Sequence, residues 1–381
     1  MILGYQKPIS ELVNKRAGLN AIYKNGANDL YPLFTQNAIL GSATGSLAHK
    51  MHTRYIAGKL GIQDRIINTR SEEMLSTLVQ AAAAAISMHG GYFIHVNYKY
   101  NPETDKFEPK QPTILDNIKC RLNAEDDRGN WSKVFYDDFT KKSGRFKPTN
   151  SNWYYRYDPS TSAIKKQIEN DAREGGIDLS TPEGIESALL NFRGQVRYVK
   201  STSDWPYTIS PADSVLYDCV SEYFISRYNY AQTANGFADK QLLFLKKGTG
   251  DENDEIEKDI EGWVGVDNSG GVYVQFVDDT DDIEKMVKSV KLESSFNDEM
   301  FEKTEKSLSR KILGAFDNLP EVLVYSGDGA LFGTNPETFE NAKKFYNENT
   351  RYLRELVSRT LSDTLKIDLN LTGITDAVIS V

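Results

Sequence analysis

The sequence predicts an α+β fold in which a mixed N-terminal lobe carries an elongated helical element with a second, smaller lobe at its end. Three observations predict it. Residues 69–98 read as an alanine-rich helix that stops at Gly90-Gly91 and passes directly into a strand alternating from Tyr92 to Tyr98. Two amphipathic stretches, 210–236 and 295–319, bracket an acidic insert with its own strand pattern. A further helical pattern runs from Pro336 to Lys366 after a glycine-rich loop.

Taken in order, residues 1–36 carry turn signals, Lys24-Asn25-Gly26 and Asn28 to Pro32. One helix is expected over 34–60, with Leu47, Met51 and Tyr55 as its apolar stripe and Gly58 to Gly61 as its stop. The next helix starts from a capping-box pattern, Thr69 with Glu72. Its five alanines, Ala81 to Ala85, favour helix and let another helix approach closely. Asn101 to Asp105 reads as a hairpin loop, with short strands expected around 112–122 and 131–137. Ser160 to Arg173 and a short segment from Thr181-Pro182 read as helices, and Gly194 to Lys200 alternates as a strand.

The bracketing helices are the most informative part of the chain. The first is expected to open at Ser210-Pro211, with Asp213 three residues past the cap, and carries Leu216, Cys219, Tyr223 and Arg227 at three- and four-residue spacing. The second is expected to open at Ser295 and to run through Phe301, Leu308, Ile312 and Phe316 to the break before Pro320. Between them, 241–245 and 271–277 read as strands. They flank a helix over 251–264 whose first turns carry Asp251, Glu252, Asp254 and Glu255, where the helix dipole favours them. The loop after Tyr325 comprises Ser326, Gly327, Asp328, Gly329, Ala330, Leu331, Phe332 and Gly333. It is longer than a usual helix–helix connection. It reads either as an ordinary link with Phe332 packed or as a pliable contact loop with an apolar tip, and its length favours the second.

Catalytic patterns are not found. There is no phosphate-binding G-x-x-x-x-G-K-[ST] and no G-x-S-x-G elbow, and Gly327, Gly329 and Gly333 have no strand-to-helix setting. His49 and His52 lack a third metal ligand and read as surface or interface histidines. The run Asp278, Asp279, Asp281, Asp282 reads as a solvated acidic face before a cation site, because it lacks calcium-loop spacing. Cys120 and Cys219 read as free thiols of a reducing compartment, and no cofactor is expected. A net charge of −9 argues against coating nucleic acid, although not against letting it slide past. Mean hydropathy is −0.50 and no long apolar run occurs, so neither a membrane span nor a secretory leader is expected. The aromatic run Trp153 to Tyr157 suits either a subunit interface or an amphipathic surface.

In its order of elements the chain resembles the portal proteins of tailed bacteriophages, the head-to-tail connectors. The resemblance rests on Asn28 to Pro32, Ser46 to Gly58, and the alanine-rich helix entering Tyr92 to Val96. It continues through Phe192 to Tyr198 and Trp205-Pro206-Tyr207 before the Ser210 helix. It implies a wing over 1–207, a first stem helix over 208–237, a clip over 238–294 and a second stem helix over 295–319. A tunnel loop over 320–335, a long wing helix over 336–366 and a short tail over 367–381 would follow, with little or no crown. It also implies a non-enzymatic role in the virion: a homo-oligomeric ring of twelve at one capsid vertex, passing double-stranded DNA without reading its sequence. The implied partners are the large terminase subunit and head–tail adaptors at the clip (Asp251, Glu252, Asp254, Glu255, Asp278, Asp279), and the major capsid and scaffold proteins. DNA would touch the loop Ser326 to Gly333. The stem residues Glu222, Arg227, Lys303, Lys306, Arg310 and Lys311 would face the channel or pair between subunits, the basic ones with acidic groups such as Glu222 on a neighbour. Pairing is the preferred reading, since a strongly held backbone would stall passage. Two other readings stand beside this one: a different phage structural component, such as an adaptor or minor capsid protein, and a metal-dependent hydrolase using the Asp278 cluster.

Overall fold

A computed structural model describes residues 31–123, 130–137, 152–201, 207–234, 241–246, 272–277, 290–291, 298–325 and 336–374. The chain begins there with two helices, α1 (Tyr31–Gly41) and α2 (Ala43–Ala57). The single helix expected over 34–60 is therefore broken. Ser42 is extended and turns its hydroxyl to accept from the Gly45 N–H, starting a new helix one residue after the first ends.

Short strands β1 (Lys59–Leu60), β2 (Ile66–Asn68) and β3 (Glu73–Met74) lead to α3 (Leu75–His89). The expected Thr69/Glu72 capping box does not form: Glu72 has φ 53° in a turn, and α3 starts later. Its cap is Asp64, whose carboxylate accepts from the Ser76 N–H at 3.0 Å and from the Ser76 hydroxyl at 2.5 Å. Gly90 ends α3 in the left-handed region, and a β-carbon there would lie 2.3 Å from the Ile209 carbonyl. That close approach brings the segment before residue 210 against the end of α3.

A six-stranded sheet in the order β5-β4-β9-β8-β7-β6 forms the lobe, from β4 (Gly91–Asn101), β5 (Lys106–Leu115), β6 (Cys120–Leu122), β7 (Lys133–Tyr136), β8 (Asn152–Arg156) and β9 (Gln195–Lys200). The pleat divides β4: Tyr92, Ile94, Val96 and Tyr98 join the larger core, and Phe93 joins a smaller one with Cys120, Leu122 and Val134. The strand expected from residue 112 starts at Lys106, because β5 pairs with β4 through the whole hairpin. Helices α4 (Thr161–Glu174) and α5 (Pro182–Asn191) follow β8, capped by Ser160 and Thr181 as their sequences foretell. The aromatic run is used inside the chain. Trp153 lies between Lys133, 3.7 Å from its ring centre, and Arg193 at 4.1 Å, and Tyr155 donates to Asp171 at 2.9 Å.

Beyond the lobe come α6 (Leu216–Ala234), then β10 (Gln241–Lys246), β11 (Val272–Val277) and β12 (Val290–Lys291), then α7 (Asp298–Ala315). β10 is central in this small sheet, parallel to β11 and antiparallel to β12. A parallel pair needs a crossover, so β10 and β11 are not the hairpin that two adjacent strands would make. The expected helix over 251–264 lies outside the described residues, as does Ser295.

The chain closes with α8 (Pro336–Asn349), α9 (Arg351–Leu365) and β13 (Leu371–Thr372), which pairs with β1. The one helix expected over 336–366 is two. At Thr350 the hydroxyl donates to the Tyr346 carbonyl at 2.9 Å, a back-bond that bends helices. The bend lets Tyr346 enter one core and Leu353, Leu356, Val357 and Leu361 another. The first core gathers α3, β4, α4 and α9. The second gathers α1, α2, α6, α7 and Tyr346, with Leu216, Cys219, Ile312 and Phe316 at its centre. Among the described residues no helix is long and apolar enough to cross a membrane.

Candidate functional site

The paired helices α6 and α7 pack on each other and on α1 and α2. Entry into α6 is slower than the Ser210-Pro211 signal predicts. Ser210 does accept, from the Ala212 N–H at 3.2 Å, but a turn and a 3-10 segment, Asp213–Val215, intervene before Leu216. Tyr31 explains the delay. Its hydroxyl donates to Asp213 and accepts from the Ser210 N–H at 3.3 Å, holding that turn against α1.

Glu222 makes the tightest junction in the region. Its carboxylate sits at the N-terminus of α2, accepting from the Ser42 hydroxyl, from the Thr44 N–H at 3.2 Å and from the Thr44 hydroxyl at 2.5 Å. An anion at a helix N-terminus is stabilised both by the unpaired N–H groups and by the dipole. Because the Thr44 proton is given to Glu222, its oxygen accepts from Tyr325 at 2.6 Å and from Ser309 at 3.1 Å. Thr44 is 1% exposed, so one buried hydroxyl joins α2, α6, α7 and the segment after α7. Cys219, one turn earlier on α6, is fully buried, and burial pushes its thiol up to about 12, far from a reactive thiolate.

A second polar chain holds the far end of α7. His52 is fully buried and His49 is half-buried, so the expectation of surface histidines is corrected. Both Nδ1 atoms meet the Ser87 hydroxyl, at 2.9 Å for His49 and 3.1 Å for His52, and His52 Nε2 meets Asp317 at 3.0 Å. Burial lowers His49 to about 4, with His52 and Lys50 adding to the effect. Asp317 in turn accepts at its carbonyl from Asn349 at 2.8 Å, and Tyr346 donates to the Phe316 carbonyl at 3.0 Å. These groups stitch α2, α3, α7 and α8 together.

The basic residues of α7 are mostly on its open side. Residues 302–307 are all exposed, and burial begins only at Leu308. Lys306 meets Glu302 of its own helix at 2.6 Å, and Lys311 reaches across to Asp218 of α6 at 3.2 Å. Glu222, the acid suggested as a partner for a neighbour's cations, is engaged inside its own chain. Arg227 lies over the Tyr223 ring at 5.7 Å. Ser326 to Gly333, and Asp251, Glu252, Asp254, Glu255, Asp278 and Asp279, lie outside the described residues. Sequence reading missed Ser42, Thr44, Ser309, Tyr325 and Asp317. Only the Ser42 cap had a local signal; the others act across separations of 178 to 281 residues.

Among the described residues no group of three or more histidine, cysteine or carboxylate side chains converges as a metal site. A cavity lined by Tyr31, His89, Phe93, Asn117, Arg121 and Tyr198 has about 30 Å³, room for a water molecule.

A scan against protein-family models finds no match, and a search of curated proteins finds none. Among solved structures, the chain is similar to a chain of the neck of the native gene transfer agent (GTA) particle, computed with C12 symmetry. The TM-score is 0.51 at 14% identity, covering 96% of this chain and 91% of that one. This chain shares that fold. A chain of the native GTA virion is similar at TM-score 0.51 and 14% identity, covering 91% and 84%. A HK97-family phage portal protein from Corynebacterium diphtheriae is a further structural neighbour, at TM-score 0.40 and 10% identity, covering 86% and 89%.

Proposed function

We propose that this chain is the subunit of a phage-type portal, a ring of about twelve copies at the neck of a virion that conducts double-stranded DNA. The observation that carries the reading is the fold shared, over nearly the full length of both chains, with a chain of a neck computed with C12 symmetry. The order of sequence elements and the paired helices α6 and α7, rooted in one core and exposed at the N-terminal end of α7, support it.

In this reading α6 and α7 are the stem, and residues 238–294 the clip that docks the large terminase subunit and then head–tail adaptors. Ser326 to Gly333 is the loop that touches DNA, and α8 and α9 cross the wing. Capsid and scaffold proteins contact the ring during head assembly. The role is mechanical, since passage independent of sequence needs smooth contact with the backbone and no base readout. A ring of chains this acidic presents a net repulsive field to phosphate, which suits sliding. Native mass spectrometry and negative-stain imaging of the purified chain test the reading. Rings of about twelve copies with a central bore are expected, and a chain that stays monomeric at high concentration would overturn it. Within a ring, deleting residues 327–333 is expected to spare assembly and to impair DNA packaging or retention.

A further inference from the structure

Among the described residues the α6–α7 pair presents two solvent-facing sides, and they are chemically unlike. On α6, Tyr217, Ser221, Phe224 and Tyr228 recur at i, i+4, i+7 and i+11, a stripe about 60° wide on a helix of 3.6 residues per turn. Leu216 and Cys219 turn to the core, Ala231 is buried, and Asp218 and Glu222 turn to α7 and α2. The stripe is left half-buried or exposed, with Tyr217 48% exposed. On α7, Lys303, Ser307, Arg310 and Gly314 repeat the same spacing, with Lys306 beside them. All five are exposed, and a side chain added at Gly314 would meet nothing within 4 Å. One face is aromatic and the other cationic.

We infer, resting on the ring reading above, that the aromatic face of α6 in one copy seats against the cationic face of α7 in the next. The occupant of each face is then a second copy of this chain. Arginine and lysine lie favourably over aromatic rings, and Arg227 over Tyr223 already shows α6 tyrosines doing so. The internal use of Glu222 leaves the rings as the complementary surface on that flank of α6. The Lys306–Glu302 pair is solvent-exposed and weak enough to yield. Height is set by the chain itself. Asp218 faces Lys311, and Glu222 shares Thr44 with Ser309, so the helices run antiparallel. Copies related by rotation about a ring axis keep equal heights, which puts Ser221 beside a neighbour's Ser307 and Phe224 near its Lys303 and Lys306.

Full-length chain carrying Ser221→Cys and Ser307→Cys tests this directly; both positions are exposed and the native cysteines, Cys120 and Cys219, are buried. Rings of this variant, mildly oxidised, are expected to run as a ladder of covalent multimers on a non-reducing gel. Mixing the two single-cysteine chains is expected to give cross-linked dimers. Tyr217→Ala with Phe224→Ala should lower the ring fraction about tenfold at a fixed concentration, and Arg310→Lys should retain more of the native ring fraction than Arg310→Ala. Rings that form without a ladder overturn the seam and leave the portal reading standing. No ring from the unmodified chain overturns the portal reading itself. If Lys306→Ala with Arg310→Ala leaves rings intact but reduces the salt-dependence of DNA binding, the cations serve DNA and the seam is overturned.

Discussion

The core of α3, β4, α4 and α9 and the core of α1, α2, α6 and α7 are both built of buried apolar side chains, yet they are finished differently. In the first, a helix of small residues lies under a strand whose alternate side chains join Leu353 to Leu361, and α4 and α9 pack on the same core. In the second, the apolar centre around Leu216, Ile312 and Phe316 is ringed by polar junctions: Glu222 on Thr44, His52 on Asp317, Tyr31 on Asp213. Among the described residues the outer faces of α6 and α7 stay solvent-exposed or half-buried. A core closed by its own residues gives stability; a core whose helices continue past their cover gives an element positioned for something else.

That contrast can be broken by mutation, starting where the effect is largest. Leu78→Ala, fully buried in the first core, is expected to cost about 2–5 kcal/mol in chemical denaturation, with assembly of the folded fraction unchanged. Loss of assembly at matched folded protein would show that the two cores are not separable.

Acid should strike where α2 packs on the end of α3. His49 has its folded pKa lowered by burial to about 4, and His89 to about 3, from an ordinary value of 6.5. Below 6.5 the unfolded chain binds protons that the folded one refuses, so these histidines make stability fall as pH drops from about 6.5, His49 until about 4 and His89 until about 3. The His49 contribution is about 3 kcal/mol, complete near pH 4. Stability measured against pH should show that slope, and His49→Gln should make the part above pH 4 shallower, the rest being kept by His89 and His95, which burial also lowers. An identical slope in the variant would remove His49 as the cause.

Glu222→Ala is expected to cost about 1–3 kcal/mol, because it strips the N-terminus of α2 of its anion and leaves the buried Thr44 hydroxyl without its acceptor. Hydrogen exchange should rise at the start of α2 and at Tyr325 together. A rise confined to α6 would mean that Thr44 does not couple them. The smallest effect sharpens the comparison most: Arg310→Ala, on the open face of α7, should change the stability of the single chain by less than about 0.5 kcal/mol. A larger loss would mean that this face is already used within the chain.

Local signals were legible where one segment supplies both partners. The caps at Ser160 and Thr181, the stop at Gly90 and the alternation of β4 are each written within a few residues, and each is found where it reads. The breaks at Ser42 and Thr350 were not anticipated, because a serine or threonine inside a helical pattern is usually tolerated. Whether its hydroxyl caps or back-bonds depends on what the next turn must reach. The Thr69/Glu72 box failed for the same reason: Asp64 was nearer to the helix start in space than in sequence.

By itself the sequence determined the α+β class, the two helices bracketing an acidic insert, and the apolar spacing that turns Leu216, Cys219, Leu308, Ile312 and Phe316 inward. These follow from periodicity, which a single segment carries. Only the tertiary structure decided that Glu222 belongs to α2, that His52 belongs to Asp317, and that His52 is fully and His49 half buried. Those pairings join residues about 180 and 265 positions apart, and no local preference selects among the many carboxylates that compete for one buried hydroxyl or ring nitrogen. Packing of the second core makes that selection, because burying Thr44 and His52 leaves them only the partners that the fold brings within reach.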